Sequence, residues 1–159
     1  MENYIAVFTD DSQQANYEKK LRQLAYYDAL TNLPNRRLIL KSLNQKIGLS
    51  GNSQQFSLCL IDVDNFKHSN DSHGHYVGDR ILKEMTTSLT PLLENEDLLG
   101  RMSGDEFIFV IHEQVEPQEL AKIAQRVIAA FKEPIVVGHT KIALSISMGI
   151  SSYPHHGLS

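Results

Sequence analysis

Arg101-Met102-Ser103-Gly104-Asp105-Glu106-Phe107 stands between two apolar runs, Leu98 to Met102 and Phe107 to His112, and its reading decides the fold. Turn formers between two such runs predict a β-hairpin with an Asp-Glu pair at its tip. Packing gives no reason for two carboxylates there. A second acidic cluster, Asp62-Val63-Asp64, closes the earlier apolar run Phe56 to Ile61, which reads as a central strand covered on both faces. If that strand neighbours the hairpin, both acidic sets meet around a hard divalent cation, which takes oxygen ligands.

Working outward, Gln13 to Tyr27 has a helical pattern, with Tyr17, Leu21 and Leu24 on one stripe and Glu18, Lys19, Lys20 and Arg22 between them. This suits either a short dimeric coiled coil or a helix packed on its own domain. Tyr4 to Thr9 reads as a strand ended by Asp10-Asp11-Ser12. Turn formers at Asn32, Pro34 and Asn35 precede a helix marked by Leu38, Leu40, Leu43 and Ile47. Asn65 to Gly78 reads as a polar connection, followed by a helix with the stripe Val77, Ile81, Leu82, Met85, Leu89 and Leu92. Pro117 opens another helix, with Leu120, Ile123, Ala124, Val127 and Phe131 inside. Ile135 to Val137 and Ile142 to Ser151 read as a final strand pair turning at Gly138-His139. The sum is an α/β fold with a central, mostly antiparallel sheet of about five strands flanked by helices, similar to the palm of polymerases and nucleotide cyclases.

The chain has 159 residues, 42% of them hydrophobic, enough for one well-buried domain. Its formal net charge of -4 argues against nonspecific nucleic-acid binding, which draws on a basic face. The single cysteine, Cys59, lies within the central strand and reads as a buried structural thiol. There is no run that reads as a membrane segment or signal peptide, so the expected location is cytoplasmic, with the parent protein free to be membrane-associated.

Asp62 and Asp105 are suitable ligands for Mg²⁺, with Mn²⁺ an alternative, and Glu106 stands beside them. Val63 can offer only its carbonyl. A lone Asp-x-Asp is usually a solvated strand end, but two acidic sets at the ends of apolar strands point to a site. Asn65, Phe66 and Lys67 follow at a strand-to-helix turn whose amides suit phosphate, with Lys67 as a point charge. Asn70 and Asp79 present an amide and a carboxylate, the complement of a guanine edge. His73 and His75 flank Gly74, but no further soft ligand lies near, so a metal pair is not expected there.

Taken together, Asp28-Ala29-Leu30-Thr31-Asn32-Leu33-Pro34-Asn35-Arg36, Asp62-Val63-Asp64-Asn65-Phe66-Lys67, Asn70 to Asp79, Ser103-Gly104-Asp105-Glu106-Phe107 and Ser145-Ile146-Ser147-Met148-Gly149-Ile150 resemble the GGDEF domain, the diguanylate cyclase family, in a variant with serine first. The resemblance implies joining of two GTP molecules into cyclic di-GMP with release of pyrophosphate, across an antiparallel homodimer. It implies Asp62, the Val63 carbonyl, Asp105 and Glu106 as metal ligands, with Asp105 and Glu106 catalytic. It further implies Asn65, Phe66, Lys67, Asn70, Asp79, Ser103 and Gly104 around the substrate. The expected organisation is 1-12 as the remnant of a PAS-like sensor strand, 13-27 as a signalling helix and 28-159 as a GGDEF domain lacking its C-terminal segment. Sensor and phosphodiesterase domains are the expected neighbours in the parent protein.

Ser103 adds a Cβ where the family usually has glycine, and a positive φ there would cost on the order of 1 kcal/mol. The family's inhibitory RxxD product site maps to Glu94 and Asp97. Glu94 cannot supply a guanidinium fork, so product inhibition is expected to be weak or absent. A catalytically degenerate, GTP-binding regulatory module is the alternative.

Overall fold

The computed structural model describes residues 11–50, 55–94, 97–112 and 115–154. The strand expected at Tyr4 to Thr9 lies outside them, and Asp11 and Ser12 open a helix.

That helix, α1 (Asp11–Tyr26), is followed by α2 (Arg36–Ser50), β1 (Phe56–Val63), α3 (Phe66–His73), α4 (His75–Leu89), a 3-10 turn (Thr90–Leu92), β2 (Leu98–Ser103), β3 (Glu106–Ile111), α5 (Pro117–Ala129), β4 (Ile135–Val137), β5 (Thr140–Ile142) and β6 (Ile146–Tyr153). A four-stranded sheet in the order β2-β3-β1-β6 forms the centre, and every pairing in it is antiparallel. The predicted antiparallel sheet flanked by helices is therefore observed.

Alternation along the strands sends side chains to two separate cores. On one face Cys59, Ile61, Val63, Phe107, Phe109 and Ile111 meet Leu82, Met85 and Leu89 of α4 and Leu120 and Val127 of α5. On the other, Phe56, Ile108 and Val110 pack on Ile39 and Leu43 of α2. Fully enclosed side chains such as Ile61 and Phe107 each contribute roughly 1.5–3 kcal/mol. The second face is covered only in part. Along β1 its residues go from buried Phe56 through half-buried Leu58 to Leu60, 45% exposed, and exposed Asp62. The central strand expected to be covered on both faces thus opens to solvent at the acidic end.

Other expectations change. Asn65 to Gly78 is not a plain connection but α3 and the first turn of α4, separated at Gly74, whose φ is 85°. α3 buries none of its residues, so it carries no apolar period to read. The strand after Gly138 ends at Ile142, making a separate two-stranded β4-β5 hairpin, while β6 crosses to pair with the full length of β1. Val137 and Ile142 pack on Ile81 of α4, which holds the small hairpin apart from the main sheet. In α2 the inward residues are Ile39 and Leu43, one helical turn apart, whereas Leu40 and Ile47 face solvent. Tyr17, Leu21 and Leu24 of α1 are also exposed, so the stripe is not packed into its own domain.

Candidate functional site

Sheet register brings the acidic sets together. Asp62 on β1 sits directly opposite Glu106 on β3, and Ser103 on β2 opposes the same Glu106. Directly paired residues share a face with their Cβ atoms about 4.5–5.5 Å apart. Asp105 occupies the turn between the two hairpin strands beside Gly104, whose φ of +46° is the left-handed conformation glycine accepts without strain. Positive φ among the described non-glycine residues is confined to Asn32 and Asn65, so Ser103 has an ordinary backbone and the strain expected there does not arise.

The turn is braced from both sides. Arg101 Nε donates to the Gly104 carbonyl at 2.8 Å, and Arg101 Nη1 lies 2.9 Å from Asp28 Oδ1. Ser103 Oγ donates to Glu106 Oε2 at 2.6 Å. Asp28 also accepts from the Thr31 N–H at 2.9 Å and the Thr31 hydroxyl at 2.7 Å. Burial pushes its carboxyl up, but the Thr31 and Arg101 bonds outweigh that and hold it below the ordinary value. Pro34 contributes its carbonyl to the Arg101 N–H at 2.9 Å, so the Asp28–Asn35 loop also covers the β2 edge. Asn35 then caps α2, its Oδ1 accepting from the Leu38 N–H at 3.1 Å, while its Nδ2 donates to the Ala25 carbonyl of α1 at 3.1 Å.

Among the carboxylates, Asp62 is the strained one. Loss of hydration, then the charges of Asp105, Glu106 and Asp64, raise its pKa, against a lowering hydrogen bond from Val63. Its side chain stays largely open to water, so the repulsion is partly screened. Asp64 behaves oppositely. Its carboxyl is held below the ordinary value by Ser147, whose hydroxyl lies 2.6 Å from Oδ1, and by Ser145. Asp64 therefore ties β1 to the start of β6 instead of facing its neighbours unpaired.

Among the described residues no three acidic, histidine or cysteine side chains converge into a ready-made metal cage. Mg²⁺ asks for less: one or two protein carboxylates, with water and substrate phosphates completing its octahedron. Asp62, whose proton affinity is raised by lost hydration and then by the anions around it, together with Asp105 and Glu106, is a donor set of that chemistry. The Val63 side chain is buried, leaving its backbone as the donor it can offer.

Asn65 caps α3 in the left-handed region at φ 57°. Lys67 is exposed, whereas the Phe66 side chain packs against the core. Asn70 rests against α4: its Oδ1 is buried with no hydrogen-bond partner, and a Cβ added at Gly78 would stand 1.8 Å from that oxygen. Gly78 thus makes room for the Asn70 carboxamide one residue before exposed Asp79. Sequence reading assigned no role to Gly78, Arg101, Asp28 or Ser147. Only the Asp28-x-x-Thr31 spacing, a side chain-to-backbone turn, carried a local signal.

At the expected product site, Glu94 pairs with Arg126 of α5 at 2.7 Å, and Asp97 accepts from the Glu94 and His112 backbone N–H groups at 3.2 and 3.1 Å. Cys59 is buried, and burial, with the Asp97 charge adding, pushes its thiol up to about 11. No helix among the described residues is long and apolar enough to cross a membrane.

The family model described as "Diguanylate cyclase, GGDEF domain" matches residues 25–159. The chain is 34% identical, over 90% of its length, to the bifunctional diguanylate cyclase/cyclic di-GMP phosphodiesterase MucR of Pseudomonas aeruginosa, of which it covers 21%. It is 32% identical, over 94% of its length, to the cyclic di-GMP phosphodiesterase PdeR of Escherichia coli, of which it covers 22%. The chain thus spans about a fifth of these curated relatives. Among solved structures, the GGDEF domain of TpbB from P. aeruginosa superposes with a TM-score of 0.76 at 30% identity, over 82% of this chain and 77% of that one. The hairpin with its acidic turn, the in-register acid on β1 and the matched span lead to one conclusion: the chain belongs to the GGDEF domain family.

Proposed function

We propose that this chain is a diguanylate cyclase domain, condensing two GTP into cyclic di-GMP and pyrophosphate as the output module of a bacterial sensory protein. The observation that carries the reading is Asp62 held opposite Glu106, beside Asp105, at the uncovered end of the sheet. Asp62, the Val63 carbonyl, Asp105 and Glu106 would hold Mg²⁺ or Mn²⁺. The bound ion would supply charge neutralisation at the α-phosphate and a lowered pKa for the attacking 3′-hydroxyl. Lys67 and the amides opening α3 hold the terminal phosphates. Asn70 and Asp79 select guanine, and Asp79 accepts from N1–H and the 2-amino group. Ser103 and Gly104 border the nucleotide at the hairpin turn.

Each GGDEF domain holds one GTP, so bond formation needs two copies facing one another. α1 supplies an unpartnered apolar stripe through which the copies associate. The domain works on the cytoplasmic side, where GTP is available, downstream of a PAS-like sensor and, in some architectures, beside a phosphodiesterase domain. Product inhibition is weak, because Glu94 replaces a guanidinium and is itself paired with Arg126.

A regulatory GTP-binding module is the second reading, favoured by the match to PdeR, a relative named for phosphodiesterase activity. GTP turnover with Mg²⁺, followed as cyclic di-GMP and pyrophosphate beside Asp105→Ala, separates the two. Product that disappears in the variant establishes the cyclase; GTP binding without product establishes the regulatory module.

A further inference from the structure

We infer that Ser103 is a positioning residue that presets the Glu106 carboxylate for a divalent cation, through the 2.6 Å hydrogen bond from its hydroxyl to Oε2. This rests on the metal-site reading above. Ser103 is the final residue of β2 and the register partner of Glu106. The pairing shifts between Arg101 and Ser103, a local irregularity of the kind that re-aims a side chain beside a functional site. The backbone beneath it is pinned separately, by Arg101 on the Gly104 carbonyl. Ser103 therefore acts on the side chain, not on the turn.

An ionised carboxylate has about four lone-pair sites across its two oxygens. One hydroxyl donor on Oε2 leaves Oε1 and a second site on Oε2 for a cation, while fixing the rotamer of a long, otherwise mobile side chain. Glycine in this place has no side-chain donor and leaves Glu106 to find its own orientation. An outer partner that orients a ligating carboxylate is worth roughly 10–100-fold in metal affinity.

The test is Mn²⁺ binding, read by electron paramagnetic resonance in the presence of a non-hydrolysable GTP analogue, so that no turnover is required. Ser103→Ala weakens Mn²⁺ affinity by about 10-fold or more, and Ser103→Thr, which keeps the hydroxyl, restores it. In a Glu106→Gln background the Ser103→Ala effect disappears, because the serine acts through that carboxylate alone. Equal Mn²⁺ affinity in Ser103→Ala and the parent chain overturns the inference and leaves the metal site standing. Tighter binding in Ser103→Ala also overturns it, making the serine a restraint instead. A parent chain that binds no Mn²⁺ with the analogue overturns both the inference and the metal-site reading.

Discussion

Arg101 and Asp28, 73 residues apart in sequence, meet at 2.9 Å, and the same guanidinium donates to the carbonyl of Gly104 in the acidic turn. One side chain thus connects the loop that follows α1 with the hairpin that carries Asp105. The pair is largely sheltered, with 13% and 25% side-chain exposure, so it is not an ordinary surface ion pair.

Arg101→Ala should destabilise the domain by about 2 kcal/mol, the scale of a hydrogen bond to a charged group in a sheltered place. The Asp28 carboxyl has its folded pKa below 3.8, so its contribution is complete above pH 3.8 and is lost as pH falls through the lower folded value. Urea midpoints measured across that acid window should fall less steeply in Asp28→Asn than in the parent. Parallel curves would show that Asp28 is not held as described.

Asp62 has the opposite sign. Its pKa is raised by its surroundings, so the folded state gains stability as pH falls through the raised value and carries a repulsive cost at neutral pH. Asp62→Asn should raise the thermal midpoint in metal-free buffer at pH 7 while abolishing divalent-dependent GTP binding. A lowered midpoint would mean that the acids do not crowd one another.

Gly78→Ala places a methyl group where Asn70 Oδ1 now sits. Overpacking of this kind costs roughly 1–3 kcal/mol, and the displaced carboxamide should reduce the preference for GTP over ATP. In an Asn70→Ala background the clash with the carboxamide is gone and only the Phe66 ring, 3.2 Å from the added methyl, has to give, so most of the stability cost of Gly78→Ala should vanish. An additive double-mutant cycle would place the clash elsewhere.

On α1, Tyr17, Leu21 and Leu24 are 70%, 64% and 71% exposed. Leu21→Glu should change monomer stability by less than about 0.5 kcal/mol, as surface substitutions do, yet reduce association in sedimentation velocity. Unchanged sedimentation would show that α1 does not mediate association.

How much of this was legible beforehand depended on the range of each signal. The hairpin, the acidic end of β1, the amphipathic stripes of α4 and α5 and the buried Cys59 all follow from strand alternation, helical period and turn chemistry, which act over a few residues. These local patterns specified an antiparallel α/β domain with carboxylates at strand ends. They missed α3, because a helix with a single apolar residue, half-buried Phe66, leaves no period in its sequence. They also ran the β4-β5 hairpin into β6, since β-branched and aromatic residues mark strands without naming their partners.

Only tertiary structure decided which residues face one another. Register placed Glu106 across from Asp62 and from Ser103, and chain packing brought Arg101 to Asp28 and Asn70 to Gly78. Cross-strand pairing is fixed by the whole buried face acting together, because a one-residue slip would move Cys59, Ile61 and Val63 from the α4–α5 core to the face that opens to solvent at Leu60. The sequence determined that acids end these strands; the folded core determined that Asp62 and Glu106 face one another.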